Sequence, residues 1–311
     1  MTHPGTMTAF IDESHQRRPG EYDLYTMTAA IIDYAHDHDR RSLMADLHQI
    51  AGRLPPDRQG RHSIHANKMA GQFLPELQTI QHLMVASPAV RMIMTVRTRT
   101  TDVRNDEDAR QTCLADLAIR LTEVEGLSRV VMDSRDDLAR RGQHQTRKPD
   151  PDGPNAIDLG TIKDLQRVKQ VPPTWDVTFA DDVWADQLWL ADVASYITAR
   201  SIARKDPGYM AILASKIEIH EATILPVAMR RPGQTQLEPS DLELALQDHW
   251  SIANAVRLGQ PVPKPMVAGV QEKPDQPPRP GIDDRSPVDD QTLLEVMINP
   301  TVNVKHPSRR L

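Results

Sequence analysis

Two apolar, strand-forming runs stand next to each other near the start of the chain, before any helical pattern begins. Residues 6–12 and 21–33 are rich in β-forming or apolar residues, and Pro19-Gly20 lies between them as a turn. After this pair, strand-like runs alternate with helical ones. A hairpin followed by alternating strands and helices predicts an α/β fold with a mixed sheet.

Hydrophobic periodicity divides the chain up to residue 231 into further elements. Strands are predicted at 61–66, 89–98, 128–136, 174–181 and, where "KIEIHEA" is extended, 216–222. Helices are predicted at 37–53, 66–87 with a kink or split at Pro75, 106–125, 156–169 and 183–204. The order supports a sheet flanked by helices, and the strand ends of such sheets carry ligands and catalytic groups.

The character of the chain changes after residue 231. Residues 232–311 hold 12 of the 25 prolines, including "PVPKP" and "KPDQPPRPG". We therefore predict a domain at 5–231 and a Pro-rich extension at 232–311 that is partly disordered, with helices at 241–258 and 290–298. Such an extension is typical of a spacer, and its Pro-rich motifs could also bind a protein partner.

Charge and composition exclude several classes of protein. The net charge of −6 gives no global basic field for nucleic acid, so only local basic patches could bind it. The single cysteine, Cys113, excludes an internal disulfide and is predicted to be a buried, inert thiol. No apolar run is long enough for a membrane span and no signal peptide is visible, so we expect a cytoplasmic protein with no membrane contact.

Carboxylates stand where predicted apolar elements end or face the core. Asp12 and Glu13 close the first strand in "FIDES", Asp133 closes "RVVMD", and Asp192 interrupts the helical sequence "LWLADVASY". A carboxylate in apolar surroundings is costly unless a cation or another partner neutralises it. Mg²⁺ or Mn²⁺ prefers such oxygen ligands, and two ions about 4 Å apart support phosphodiester cleavage.

A structural alternative accounts for the same acids. Asp12 could be a turn residue at a strand end, and Asp192 could pair with an arginine of the core. The helix at 183–204 is expected to turn Asp192 toward the sheet edge and to bury Leu188, Leu190, Ala191 and Val193 only in part.

Four short blocks, in this order, resemble a large and mostly uncharacterised bacterial family. "FIDES" resembles its opening Tyr-Ile-Asp-Glu-Ser-Gly motif, and "SIHA" (63–66) resembles its short strand with a His-Ala pair. "VVMDS" resembles its central strand, and "QLWLADVASY" (187–196) resembles its helix near the C-terminus. The family is classed as a domain of unknown function with an RNase H-like fold. The resemblance covers about residues 5–205.

The resemblance implies an RNase H-like mixed sheet of five strands with acids clustered at one edge. Position by position, it carries function onto Asp12, Glu13, Asp133 and Asp192, with His65 nearby.

Two features depart from the family pattern. His15 replaces the glycine that follows "DES", which constrains the loop near the acids. Arg135 follows Asp133 closely and could pair with it in place of a metal ion.

The leading hypothesis is a divalent-metal-dependent nuclease or phosphodiesterase-like enzyme that acts on nucleic acid. Asp12, Asp133 and Asp192 would hold Mg²⁺ or Mn²⁺, Glu13 would be a ligand or an orienting acid, and His65 would assist protonation or contact a phosphate.

Basic residues next to the acids complete this hypothesis, because Arg17 and Arg18 could hold the phosphate backbone. The alternative hypothesis is a non-catalytic interaction protein that works through its C-terminal extension.

Overall fold

The computed structural model describes residues 7–16, 24–56, 60–98, 103, 105–136, 145–238 and 241–263. Within these residues the chain forms a seven-stranded mixed sheet with helices on both faces. Arg17, Arg18, the helix predicted at 290–298 and most of the Pro-rich extension lie outside the described residues.

The sheet has the strand order β5-β6-β4-β1-β2-β3-β7. The strands are β1 (Met7–Gln16), β2 (Leu24–Asp33), β3 (Val90–Thr98), β4 (Leu127–Asp133), β5 (Gln145–Thr146), β6 (Asp176–Ala180) and β7 (Ile217–Glu221). β1, β2 and β3 form an antiparallel meander, β4 adds parallel to β1, and β6 adds parallel to β4. This arrangement is the RNase H-like fold that the sequence predicted, with β5 and β7 added at the edges.

Helices cover both faces of the sheet. They are α1 (Asp37–Ala51), α2 (Ala66–Met69), α3 (Leu74–Ala86), α4 (Asp106–Leu121), α5 (Pro154–Arg167), α6 (Leu188–Ala203) and α7 (Asp241–Leu258). Local sequence sets several boundaries: the Asn105 side chain accepts a hydrogen bond from Asp108 N at 2.8 Å, which caps α4, and Pro75 lies in the first turn of α3. None of the described helices combines the length and apolar character needed to cross a membrane.

One predicted strand is absent, and one short strand was not predicted. Residues 61–66 do not form a strand, because the chain there is irregular up to His65 and then enters α2 at Ala66. β5 was not predicted, because its two residues are too few to show an alternating pattern. The split of the helix around Pro75 is confirmed, since α2 and α3 are separate.

Two hydrophobic clusters lie on opposite faces of the sheet. Along β1, Phe10 belongs to the cluster beneath α6, whereas Ala9 and Ile11 belong to the cluster beneath α4 and α5. Successive side chains of a strand point to opposite faces, so the same alternation continues into the acids farther along β1. Cys113 is fully buried in the α4 cluster, as predicted.

Helix α6 is buried on almost every side. Leu188 is 1% exposed and Leu190, Ala191 and Val193 are each 0% exposed, so the expectation of partial burial was wrong. The reason is that α6 packs on β1 and β2 with one face and is covered on others by α2, α3 and a short 3₁₀ helix at Pro207–Met210.

The described part of the C-terminal extension contributes to the core. α7 occupies the range that the sequence predicted, and its Leu242, Leu246 and Ala253 join the cluster beneath α6. His249 is also buried, and its Nε2 lies 2.7 Å from Ser201 Oγ of α6. The boundary at residue 231 stays a prediction, but α7 packs as part of the domain.

Truncating Leu246, which is 2% exposed, should therefore destabilise the protein. We expect Leu246→Ala to cost about 2–5 kcal/mol in the free energy of unfolding, because it leaves a cavity in the core. Leu258→Ala is the matched control in the same helix: Leu258 is 53% exposed, and its change should stay within about 0.5 kcal/mol. Urea denaturation of both variants measures this, and equal losses would contradict the packing of α7.

Candidate functional site

The parallel pairing of β1 with β4 brings the first two acids together. The register pairs Phe10 with Val131 and Ile11 with Met132, so the next residues along the two strands are Asp12 and Asp133. Parallel strands end at the same edge of a sheet, and both acids follow the parity of side chains that face α6. β1 continues to Gln16 beside β2, so Asp12 lies within the strand, and not at its end as predicted.

Asp192 reaches the same place from α6. Its Oδ2 accepts a hydrogen bond from Ala66 N at 2.9 Å, the first backbone N–H of α2. The preceding residue, His65, provides no side-chain cap, so the carboxylate of Asp192 does this from another helix. The bond holds the segment containing His65 against α6.

A fourth acid, Asp182, was missed by the sequence analysis. It follows β6, and its Oδ2 lies 3.5 Å from Nδ1 of His65. The other ring nitrogen of His65, Nε2, lies 3.0 Å from Ser63 Oγ. The same signal that marked the other acids could have found it, because "TFADD" also leaves an apolar strand with carboxylates.

Burial raises the pKa of all four acids, and neighbouring carboxylates add to the rise for three of them. Burial, followed by repulsion from Asp192, Asp133 and Asp182, holds the pKa of Asp12 well above its usual range. Burial and then Asp182 raise the pKa of Asp133 to about 7, and burial with the Asp181 carboxyl raises the pKa of Asp182 to about 7.

Asp192 is shifted less. Its pKa rises to about 6 because burial outweighs the Ala66 hydrogen bond and the positive charge of Lys68. The four acids therefore form an electrostatically unfavourable group that a cation would relieve.

Glu13 lies on the opposite side of β1. Its carboxylate pairs with Arg110 of α4, which is 3% exposed and also donates to both carboxylate oxygens of Asp158, at 3.0 and 2.7 Å. Tyr25 Oη accepts a further bond from Arg110 at 3.1 Å. The ion pair between Glu13 and Arg110 thus anchors the second half of β1 to α4.

Arg135 does not neutralise its neighbour Asp133. Its Nη1 donates to Glu107 at 2.9 Å and its Nη2 donates to Asp158 at 3.2 Å. In the described ranges no lysine or arginine forms an ion pair with Asp12, Asp133 or Asp192. The arrangement that would have favoured a purely structural role for these acids is absent from this part of the chain.

The residues of the site line one cavity with a volume of about 390 Å³. Asp12, Glu13, Asp133, Asp182, Asp192 and His65 all contribute to its lining. Glu13 is paired with Arg110, and the other four carboxylates, with no thiolate, form the oxygen-rich donor set that Mg²⁺ or Mn²⁺ prefers, so the chemistry of the residues fits these ions. Among the described residues no three His, Cys, Asp or Glu side chains already stand in a closed metal-binding group, so the carboxylates would have to draw together around an ion.

His15, which follows "DES" in β1, has its own neighbours near the site. Its ring centroid lies 5.6 Å from that of Tyr25, and its Nε2 lies 3.8 Å from Asp106 Oδ1. The His15 side chain therefore lies on the face of β1 that α4 covers.

Comparisons with known proteins add little to this geometry. No protein-family model and no curated protein matches the sequence, so membership of the bacterial family stays a prediction. Among solved structures, the chain is similar to ribonuclease H2 from Pyrococcus horikoshii OT3, with 11% sequence identity and a TM-score of 0.36 over 86% of this chain and 94% of that chain. The fold assignment rests on the strand order and strand directions.

The raised pKa of Asp133 predicts how stability depends on pH without metal. The unfolded chain releases this proton near 3.8, whereas the folded protein keeps it to about 7. Between these values the folded state binds more protons, so the free energy of unfolding falls as pH rises from about 4 to about 7. Asp133→Asn cannot lose a proton there, and its stability should fall less steeply in denaturation measured across this window.

Asp37→Asn is the control for that experiment. A hydrogen bond from Arg40 holds the pKa of Asp37 below its ordinary value, so its titration lies below the window. This variant should keep the wild-type slope. A wild-type protein whose stability rises between pH 4 and 7 in metal-free buffer would contradict the crowding of the acids.

Proposed function

We propose that the protein is a divalent-metal-dependent hydrolase of phosphodiester bonds that acts on nucleic acid. One observation carries the proposal. Besides Glu13, which pairs with Arg110, four carboxylates from β1, β4, α6 and the loop after β6 line a single cavity, and none of the four forms an arginine or lysine ion pair within the described residues. Burial raises the pKa of all four, and other carboxylates add to the rise for Asp12, Asp133 and Asp182. Buried carboxylates that are close together destabilise a protein unless a positive charge neutralises them, and a bound divalent cation supplies that charge.

Asp12, Asp133 and Asp192 would hold Mg²⁺ or Mn²⁺. A bound divalent cation stabilises charge at the attacked phosphate and makes water a better nucleophile. These three acids come from three different elements, so the fold itself orients them. Their position relative to one another depends on the β1–β4 register and on the bond from Ala66 to Asp192.

His65 and Asp182 would take part in proton transfer to the leaving group. His65, with Asp182 Oδ2 3.5 Å from its Nδ1, would donate a proton to a leaving oxygen. Glu13 would be an orienting acid, because its ion pair with Arg110 ties β1 to α4. Arg17 and Arg18 follow directly after β1 in the sequence and would bind backbone phosphates.

The blocks "FIDES", "SIHA", "VVMDS" and "QLWLADVASY" support the same assignment, since each supplies at least one residue of the cavity. The four blocks are far apart in the sequence and meet at one end of the sheet. That convergence supports the resemblance to the bacterial family with an RNase H-like fold.

Thermal melts with and without metal test the proposal. The melting temperature of the wild type should rise with the concentration of Mg²⁺ or Mn²⁺, because the ion binds only the folded state. Asp12→Asn should melt at the same or a higher temperature than the wild type without metal, since one repelling charge is gone, and should lose most of the metal response. Its metal-dependent cleavage of DNA or RNA should fall by more than roughly 100-fold.

Glu13→Gln is the matched control, one residue away on the other face of β1. It should lose stability, because Arg110 loses a charged partner, yet it should keep a metal-dependent rise in melting temperature. A wild-type melt unmoved by millimolar metal, together with a destabilised Asp12→Asn, would overturn the proposal and favour the interaction protein.

A further inference from the structure

A second cavity lies beside the carboxylate cavity and shares His65 with it. Its volume is about 230 Å³, and it is formed where the end of α1, the segment before α2, and the start of α3 meet. Leu54, Met69 and Phe73 supply apolar surface, and Lys68 and Gln72 supply polar groups.

The lining resembles a binding surface for a flat ring more than a gap in the core. Met69 and Leu54 are 1% and 6% exposed and provide a firm apolar wall. Phe73 is half-buried, with its backbone N donating to Met69 O at 2.7 Å, so its aromatic side chain is positioned by the α2–α3 junction. Lys68 and Gln72 are exposed, and they can donate to ring nitrogens or carbonyl oxygens.

The size of the cavity limits its occupant. Sites for drug-sized ligands have volumes of roughly 300–1,000 Å³, so this one suits a single ring system rather than a whole nucleotide. An occupant that extends past His65 would continue into the carboxylate cavity. The combination of a ring site and an adjoining phosphate-cleaving site matches one nucleotide of a polynucleotide.

The spacing between the two cavities is held by the structure. The hydrogen bond from Ala66 N to Asp192 fixes α2 against α6, and Ser63 and Asp182 contact opposite nitrogens of the His65 ring. His65 is therefore a fixed wall between the ring site and the acids. Lys68 is near enough to Asp192 to lower the pKa of that carboxyl.

We propose that this cavity binds one unstacked base and that the substrate class is single-stranded nucleic acid. This inference rests on the proposed function, because it defines what the phosphodiesterase site would act on. A base in a continuous duplex is stacked and paired, and its extraction costs a few kcal/mol, whereas a single strand presents bases freely. Stacking on aromatic side chains tolerates all bases, so little sequence preference is expected.

Methionine-methyl NMR of the metal-free protein tests the cavity without any cleavage. Adenosine and cytidine are the probes and ribose is the control, since none of them carries a phosphate that the acids would repel. Either nucleoside should shift the Met69 methyl signal saturably, because the base lies against this side chain, and ribose should not. Met69→Leu assigns the signal.

Two variants separate stacking from folding. Phe73→Ala and Phe73→Leu should each weaken nucleoside binding by roughly fivefold or more, which is the contribution of one stacked base. The matched control is Tyr34→Ala, an aromatic residue 37% exposed that lies at the opposite end of α1 from Leu54. It should bind nucleosides like the wild type.

The outcomes distinguish this inference from the proposed function. Equal shifts with ribose and nucleosides, no saturable shift, or full affinity in Phe73→Leu would overturn the base site, even if metal still raises the melting temperature. Saturable nucleoside binding that depends on Phe73 supports the base site, and if metal then has no effect on the melt, only the proposed hydrolase falls. Faster cleavage of duplex than of single strands would overturn the assigned substrate class.

Discussion

The parallel pairing of β1 with β4 is the constraint on which the rest of the site depends. It places Asp12 and Asp133 side by side at one edge of the sheet and on the face that α6 covers. Both strands are apolar up to these acids, so the core buries the strands and pulls the carboxylates into partly desolvated surroundings. The raised pKa values follow from that placement, because burial is the largest cause for both acids.

Helix α6 links this edge to the segment that carries His65. Asp192 contributes a carboxylate to the cavity and also caps α2 through the Ala66 backbone. Asp192 therefore adds one carboxylate to the acid group and also positions α2, which lines the neighbouring ring-sized cavity. The near-complete burial of α6 makes this link rigid, since a helix packed on all sides has little freedom to shift.

The opposite face of the hairpin satisfies its charges differently. Glu13, Asp158 and Glu107 are held by Arg110 and Arg135, in a network that ties β1, α4 and α5 together. Both arginines form their ion pairs on this face, with Glu13, Asp158 and Glu107. The contrast between a neutralised face and an unneutralised one is the main reason to assign function to the α6 side.

Local sequence patterns predicted most of the elements in their order, the mixed α/β architecture, the α7 range and four of the acids that line the cavity, Asp12, Glu13, Asp133 and Asp192. These follow from local periodicity and from the cost of a carboxylate in an apolar run, which are visible in short stretches of sequence. Tertiary structure decided the rest. It separated Asp12 from Glu13 by the alternation of β1, added Asp182 through the β4–β6 pairing, and turned residues 61–65 from a predicted strand into an irregular segment held beside Asp192. Register, the covering of faces and capping from a distant helix depend on contacts between residues far apart in the chain, and no local pattern encodes them.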